Sequence, residues 1–167
     1  MSEAATAVEF ALIAPALIAT LIAILEVMYF LFAQQTLQTA AVEFGRSFMT
    51  NQAPAQGSTT NNNGQLLNTS NICNIIKPLL DCTQVTVSVT PYDTYASADT
   101  TMLQLYDSHG NPLTSFSYAP GTAGQIVVIK LAYQLTTITG PLGFVLRSLS
   151  NGKMEVMGVT AIRVEPS

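Results

Sequence analysis

The chain has 167 residues, enough for one ordinary domain or for a membrane helix followed by a small domain. Hydrophobic residues make up 49% and charged residues only 10%, against about 25% charged residues in ordinary soluble proteins, so an apolar segment dominates the average. The net charge is −4 and the six basic residues are scattered, which argues against a nucleic-acid partner because phosphate binding needs clustered Lys and Arg.

The first long segment, FALIAPALIATLIAILEVMYFLFA from Phe10 to Ala33, is apolar, with Glu26 as its one charge. A helix of about 20 apolar residues crosses the hydrocarbon core of a bilayer, so this segment is long enough to span one. A buried helix of a soluble core is the alternative, but such a helix usually carries a polar stripe. A cleavable secretory signal has a basic front and a shorter apolar run. We therefore predict a lasting transmembrane anchor over residues 10–33, behind a short leader of residues 1–9.

One face of the predicted span carries small residues. Ala16, Ala19, Ala23 and Glu26 recur at helical spacing, and small residues let helices approach closely in lipid. A partner helix or a polar contact could cover the charge of Glu26; the alternative is that Glu26 reaches the interface or is protonated without a specific partner. Pro15 is expected to kink this helix without ending it.

The helical pattern continues past the span, in QQTLQTAAVEFGRSFMT. Its apolar positions fall at spacings of four, three and four, on one face of an amphipathic helix: Leu37, Ala41, Phe44 and Phe48. We predict a single helix from about Glu3 to Met49, about 70 Å long at about 1.5 Å per residue. Its amphipathic continuation, residues 34–49, is expected to lie on the domain that follows.

Residues 50–167 are predicted to form one α+β domain. An uncharged segment from Asn51 to Asn71, rich in Asn, Ser, Thr and Gly, is predicted to be a linker. The apolar patch from Ile72 to Leu80 has helical spacing, and Pro78 limits it to a short helix.

The only two cysteines, Cys73 and Cys82, bracket this patch. Two lone cysteines in an exported domain usually form a disulfide, and closing so short a loop stabilises a fold by about 2–3 kcal/mol. Two buried free thiols are the alternative, and the spacing does not fit a C-x-x-C redox pair. With His109 as the single histidine, a four-ligand zinc site would need carboxylates, so we predict no metal and no cofactor.

The remainder of the domain is predicted to contain strands separated by turns. Val85, Val87 and Val89 alternate with polar residues, which predicts a strand with one buried face. Further strands are predicted over Met102–Tyr106, Leu113–Tyr118, Gln125–Ile138 and Met154–Val164, and a short helical turn over Leu142–Leu149. The predicted fold is therefore α+β, with the apolar face of one long helix covering an antiparallel sheet of about three to five strands.

The N-terminal segment ATAVEFALIAP, from Ala5 to Pro15, resembles the signature of TadE-like pseudopilins, which are minor components of the tight-adherence (Tad, or Flp) pilus system. FAQQTLQTAAVEFGR, from Phe32 to Arg46, resembles the family's continuation, and the tail TAIRVEPS resembles its ending. The resemblance implies a pilin-like arrangement and the function of a minor pseudopilin or assembly component of a bacterial Tad-type pilus.

The resemblance also implies a topology and a processing site. It places the N-terminus in the cytoplasm and the domain in the periplasm, although Arg46 behind the span slightly favours the reverse orientation by charge alone. A prepilin peptidase would cut between Ala4 and Ala5. Glu9, followed by Phe10, would then meet the free N-terminal amine of a neighbouring subunit. The alternative is that Glu9 only stabilises the start of an interfacial helix. Alanine stands at position 4 where the family usually has glycine.

The implied partners are other pilins and pseudopilins, the inner-membrane platform proteins of the Tad system and, if the chain is processed, the prepilin peptidase. A membrane-anchored periplasmic binding module, or a secretion-system subunit outside the pilus, would have the same topology. A tethered hydrolase would need His109 and Asp107, but DSHGNP is first a turn and no Gly-x-Ser-x-Gly elbow exists. We therefore expect no enzyme. A calcium site at the same turn is equally weak, because it contains too few acidic residues.

Overall fold

The computed structural model of the chain describes residues 2–50, 59–60, 64–66, 70, 72–106, 113, 116–136 and 153–165, with side chains from residue 7 onward. Its helices and strands are α1 (Ser2–Met49), α2 (Cys73–Ile76), β1 (Thr86–Tyr92), β2 (Ile126–Thr136) and β3 (Lys153–Arg163). A 3₁₀ turn over Cys82–Gln84 leads into β1. The predicted α+β fold, a long helix on a small antiparallel sheet, is confirmed.

Helix α1 is continuous over 48 residues, and it passes through Pro15 without a break. Its threonines do not interrupt it, because the hydroxyls of Thr20, Thr36 and Thr39 donate to the carbonyl oxygens four residues earlier at 2.8–2.9 Å. The single helix predicted to end at Met49 is therefore confirmed, whereas the kink at Pro15 stays a prediction.

The sheet has the strand order β1-β2-β3, with both neighbouring pairs antiparallel. Strand β2 lies in the centre, and most of its residues are buried on both faces, which explains its nearly continuous apolar sequence. The strands predicted from the alternating valines, from Gln125–Ile138 and from Met154–Val164 are confirmed as β1, β2 and β3, and residues 137–138 of the second prediction lie outside the described residues.

The strand predicted over Met102–Tyr106 is wrong, because residues 102–105 join no ladder and Tyr106 forms only an isolated bridge. This segment contacts side chains of the sheet instead. The Leu103 N–H donates to Met157 Sδ at 3.2 Å, and the Tyr106 hydroxyl bonds the Gln134 amide at 2.7–2.9 Å. The segment therefore covers the outer face of β2 and β3, the face opposite α1.

The strand predicted over Leu113–Tyr118 is replaced, where the structure describes it, by a single parallel bridge between Tyr118 and Val89. Residues 114–115 of that prediction are outside the described residues. Also outside them are the turn with Asp107 and His109, the helical turn over Leu142–Leu149 and most of the linker predicted over Asn51–Asn71.

Short segments cover the outer edge of β1. Their backbone hydrogen bonds, at 2.7–2.9 Å, join Leu66 to Val85, Val87 to Gly64, and both Ser117 and Ala119 to Val89. Only one side of β1 is used by β2, so these bonds supply partners for the N–H and C=O groups on its other side. Part of the outer edge of β3, at Met157 and Val159, is covered differently, by side chains of α1.

The core lies between α1 and the inner face of the sheet. The predicted docking face of α1 is confirmed, because all four of its apolar positions are at most 3% exposed: Leu37, Ala41, Phe44 and Phe48. They lie in one core cluster with the valines of β1 and with Val127, Ile129 and Leu131 of β2. The rings of Phe44 and Phe48 meet edge to face with centroids 5.0 Å apart.

A disulfide joins Cys73 to Cys82, with their Cα atoms 5.5 Å apart. Both cysteines are buried in the same core cluster as the docking face of α1. The bond therefore ties the short helix α2 to the residues that lead into β1.

Two glutamines of α1 bind the outer edge of β3. The Gln34 amide donates to the Met157 carbonyl at 2.6 Å and accepts from the Met157 N–H at 3.3 Å. The Gln38 amide makes the same pair of bonds with Val159, at 2.9 and 3.1 Å. Each side-chain amide thus occupies the position that a neighbouring strand would take. The glutamines lie one helical turn apart, which matches a two-residue step of the strand at about 6–7 Å.

Gly158 lies between these two strand residues and allows the close approach. A Cβ at position 158 would collide with the Leu37 carbonyl group and would lie 2.8 Å from the Gln38 nitrogen. Because those obstacles are backbone atoms of a helix, they cannot give way easily. Glycine at this position is therefore a requirement of the contact between α1 and β3.

Replacing Gln38 with Met is expected to lower the free energy of unfolding by about 1–2 kcal/mol, because the Val159 N–H and C=O lose their partners. Gln35→Met is the matched control, since Gln35 is exposed on the same helix and its change is expected to stay within about 0.5 kcal/mol. Denaturant unfolding of the full chain in detergent measures both values, and hydrogen exchange at Val159 should become faster in Gln38→Met only. Equal stabilities would show that apolar contacts alone hold this edge.

Candidate membrane and assembly helix

The N-terminal half of α1 exposes its large apolar side chains. Val8, Phe10, Leu12 and Ile13 are 61–75% exposed, and exposed apolar side chains continue as far as Phe32. Only 6% of the most apolar 18-residue window of this helix is buried. A core helix of a soluble protein would be mostly buried, so this surface needs lipid or other apolar helices to cover it. The helix is long and apolar enough to cross a membrane.

The domain begins where this exposed half ends. Phe30 contacts the core cluster, and Ala33 is fully buried in it. The exposed stretch from Val8 to Phe32 is about 36 Å long at about 1.5 Å per residue, close to the hydrocarbon thickness of about 30 Å. Because the helix is continuous, no flexible linker separates the exposed stretch from the sheet.

The residues predicted to form a helix-packing face do share one face of α1. Ala19 is 5% exposed, Ala16 is exposed, and Ala23 and Glu26 are half-buried. Each lies 18 positions, or about five turns, before a residue that contacts the domain: in the same order Leu37, Gln34, Ala41 and Phe44. The small-residue face is therefore the downward continuation of the docking face, directly below the sheet.

Glu9 lies two turns before Ala16, so it is close to the same line along the helix. Its side chain is exposed, and the neighbouring Phe10 is 72% exposed. The predicted cleavage bond between Ala4 and Ala5 lies in the helical part of the backbone, but side chains before residue 7 are outside the described residues. The roles of these four residues stay predictions.

An ion pair between a buried lysine of β2 and an exposed aspartate anchors the segment that covers the outer face of the sheet. Lys130 of β2 is 8% exposed, and its Nζ lies 3.1 Å from Asp99 Oδ2. Hydrogen bonds from the Thr101 hydroxyl and N–H, together with Lys130, lower the pKa of Asp99 to about 2. Sequence reasoning missed this pair, although a lysine inside the apolar run IVVIKLA is a signal that a counter-ion must be near.

Glu155 lies on the same outer face, opposite Gln134 in the β2–β3 register, and is only 8% exposed. Burial raises the pKa of this carboxyl group to about 6, because water no longer stabilises its charge. Sequence reasoning also missed Glu155, since its place in an alternating strand predicts only a residue on the outer face.

At the end of the sheet nearest the exposed half of α1, burial raises the pKa of the Tyr133 hydroxyl. A hydrogen bond with the Asp81 backbone lowers this pKa and offsets part of the rise. Tyr29 of α1 is close enough to interact with this group and is 42% exposed. The pair lies where the exposed half of α1 meets the domain.

The described part of the chain contains no group of three or more His, Cys, Asp and Glu residues that could hold a metal ion. The hydrolase alternative rests on Asp107 and His109, which lie outside that part.

Comparison with known proteins finds a family resemblance along the helix. The family model described as TadE-like protein matches residues 4–46. The resemblance predicted from the N-terminal residues is thereby confirmed over α1, including Glu9 and both glutamines that bind β3. No curated protein and no solved structure matches the chain.

Glu155→Gln is expected to remove a pH dependence of stability. Because the folded state raises the pKa of Glu155 from 4.5 to about 6, its contribution is fully present below pH 4.5 and is lost as the pH rises through 6. The wild-type chain should therefore lose about 1–2 kcal/mol of this contribution above pH 6, and Glu155→Gln should not. Unfolding of the full chain in detergent between pH 4.5 and 7.5 measures the difference, with Glu43→Gln on the exposed side of α1 as the control. Parallel curves for the wild type and Glu155→Gln would contradict the assignment.

Proposed function

We propose that the chain is a single-pass inner-membrane protein that acts as a minor pseudopilin or assembly component of a bacterial Tad-type pilus. The observation that carries the proposal is the continuous helix, apolar and exposed below residue 33, within which the TadE-like match falls. Residues 1–9 would form a cytoplasmic leader, 10–33 the span and 34–49 its amphipathic continuation. Residues 50–167 would form the periplasmic domain.

The proposed orientation agrees with the chemistry of the domain. The disulfide between Cys73 and Cys82 suits an oxidising compartment, and the bacterial periplasm is one. The reverse orientation would place this bond in the reducing cytoplasm. The disulfide therefore supports the topology that the family implies over the weak charge signal of Arg46.

The proposed mechanism is lateral helix packing under the domain. A partner helix in the membrane would contact Ala16, Ala19 and Ala23, where short side chains permit close approach. Since this face continues the docking face, the partner helix must lie below the sheet. Neighbouring subunits would then be staggered along the membrane normal, with helices inside and domains outside. Glu26, at the top of the face, would lie at the same contact.

Glu9 would act at the start of the assembly. After a prepilin peptidase had cut between Ala4 and Ala5, the carboxylate of Glu9 could pair with the N-terminal amine of a neighbouring subunit. A carboxylate at the edge of lipid is costly unless a cation is near, which favours such pairing. The proposed partners are other pilins and pseudopilins and the platform proteins of the Tad system.

A second candidate is a membrane-anchored periplasmic binding module or a secretion-system subunit outside the pilus. It is favoured by one observation, that the TadE-like match ends at residue 46 and leaves the whole sheet unmatched. Co-purification of the membrane form with pilus proteins would support the first function, and co-purification with other partners alone would support the second.

Glu9→Ala is expected to reduce the number of pili severalfold at an unchanged level of membrane-bound protein, because the amine of the neighbouring subunit loses its counter-charge. Glu43→Ala is the control, since Glu43 is an exposed carboxylate higher on the same helix. Pili counted by electron microscopy in a strain that carries either variant give the result. Normal piliation with Glu9→Ala would remove the role assigned to this residue.

Intact mass of the membrane-extracted chain is expected to lack Met1 to Ala4 and the two hydrogens that a disulfide releases. Reduction should restore those two hydrogens and nothing else. Ala5→Arg, which places a bulky charge at the cut, should leave the chain at full length. A wild-type chain that keeps all four residues would exclude processing at this bond, although it would leave the membrane anchor untouched.

A further inference from the structure

The outer edge of β3 has two parts, and helix α1 covers only the lower one. In an antiparallel pair, alternate residues direct both their N–H and C=O groups away from the neighbouring strand. Met157 and Val159 direct theirs outward, because both bind glutamines of α1. The same alternation directs the main-chain groups of Ala161 and Arg163 outward.

Helix α1 does not cover this upper part. One turn beyond Gln38 the helix carries Val42, which has no side-chain amide. Two turns beyond Gln38 it carries Arg46, whose side chain is 72% exposed and pairs with Glu43. Within the described residues, no hydrogen bond reaches the outward N–H and C=O groups of Ala161 and Arg163. These groups lie at an edge, and an unpaired edge is where a further strand can add.

A groove of about 520 Å³ runs along this part of the edge. It lies between Met49 at the end of α1 and Tyr95 in the turn after β1, and the last residues of β3 form its floor. Met49 and Tyr95 are 38% and 61% exposed. The groove therefore joins unpaired main-chain groups to apolar side walls, which is the combination used to bind an extended peptide.

We propose that the edge of β3 at Ala161 and Arg163 binds an extended segment of another protein, which adds to the sheet as a fourth strand. The chemistry of the occupant follows from the lower part of the same edge. There each outward residue takes one N–H donor and one C=O acceptor, repeated at two-residue spacing. An extended main chain supplies that pattern, and apolar side chains of the segment would contact Met49 and Tyr95.

A second copy of this chain fits the edge poorly. Two β3 edges that pair in antiparallel fashion would be inverted relative to one another. Copies anchored by the same helix in the same membrane share one orientation, so they cannot pair in this way. This step rests on the proposed membrane anchor, and we take a segment of a different protein as the occupant.

The test uses the full chain, labelled with ¹⁵N, in lipid nanodiscs. The probe is a soluble synthetic peptide with alternating Val and Thr between terminal lysines. Addition of the probe is expected to shift the amide signals of Ala161 and Arg163 and to slow their hydrogen exchange at least tenfold. The same peptide with N-methylated central residues cannot donate these bonds and should have no effect. If the unmethylated peptide changes neither amide, the proposal is wrong.

Ala161→Pro removes the outward N–H but breaks no bond to β2, so the strand edge tolerates the proline. The loss of this N–H should weaken binding of the probe at least tenfold. Ala161→Ser is the matched control, because it keeps the main-chain groups and should bind normally. Unchanged β2 and β3 amide signals will show that Ala161→Pro is folded. Equal binding by the two variants would overturn the proposal, and so would slow exchange at positions 161 and 163 before any probe is added. Failure of the chain to insert into nanodiscs would instead overturn the membrane anchor.

Discussion

The contact between α1 and β3 determines where every other part of the molecule lies. Gly158 lets the helix backbone approach the strand, and Gln34 and Gln38 fix the register by binding the strand's main-chain groups. A shift of one helical turn would separate both glutamines from Met157 and Val159. Because the helix is rigid and continuous, this register also sets the height of the sheet above the exposed apolar stretch. The position of the sheet relative to the exposed apolar stretch is therefore set by one pair of side chains and one glycine.

This contact contains two kinds of interaction, apolar burial and hydrogen bonds, which differ in the free energy that each contributes and in their structural role. Each large apolar side chain buried on the docking face, such as Phe44 or Phe48, contributes about 1.5–3 kcal/mol. A hydrogen bond contributes about 0.5–1.5 kcal/mol net, so apolar burial supplies most of the stability. Apolar surfaces, however, tolerate sliding, whereas paired amides do not. The glutamines thus specify one register among several that burial alone would permit.

Local sequence patterns predicted most of the elements but none of the contacts that fix the register. The spacing of Leu37, Ala41, Phe44 and Phe48 predicted the docking face because helical periodicity is a local property. Gln34 and Met157 are separated by 123 residues, and nothing local to either one indicates the other. The segment from Met102 has strand-like composition, yet it covers the outer face of the sheet. The positions beside β2 and β3 are already taken, by β1 on one side and by the glutamines of α1 on the other. The sequence analysis missed Glu155 and Lys130 for the same reason, because the alternation of residues along a strand does not show which of them a distant segment will bury.

The TadE-like match divides the molecule into a matched helix and an unmatched sheet. The match ends at residue 46, so it contains the apolar span, the small-residue face and the glutamines, but no strand. Features that any subunit needs to enter a common assembly, namely a helix of set length and a domain held at a set height, lie within the matched part. The groove at Ala161 and Arg163 lies outside it, on the sheet that the family model does not reach. A helix shared with a family can place a subunit among its neighbours, whereas discrimination between partners needs a surface of the chain's own. Under the proposed strand addition, the edge of β3 above Val159, where the helix stops covering the strand, would supply such a surface.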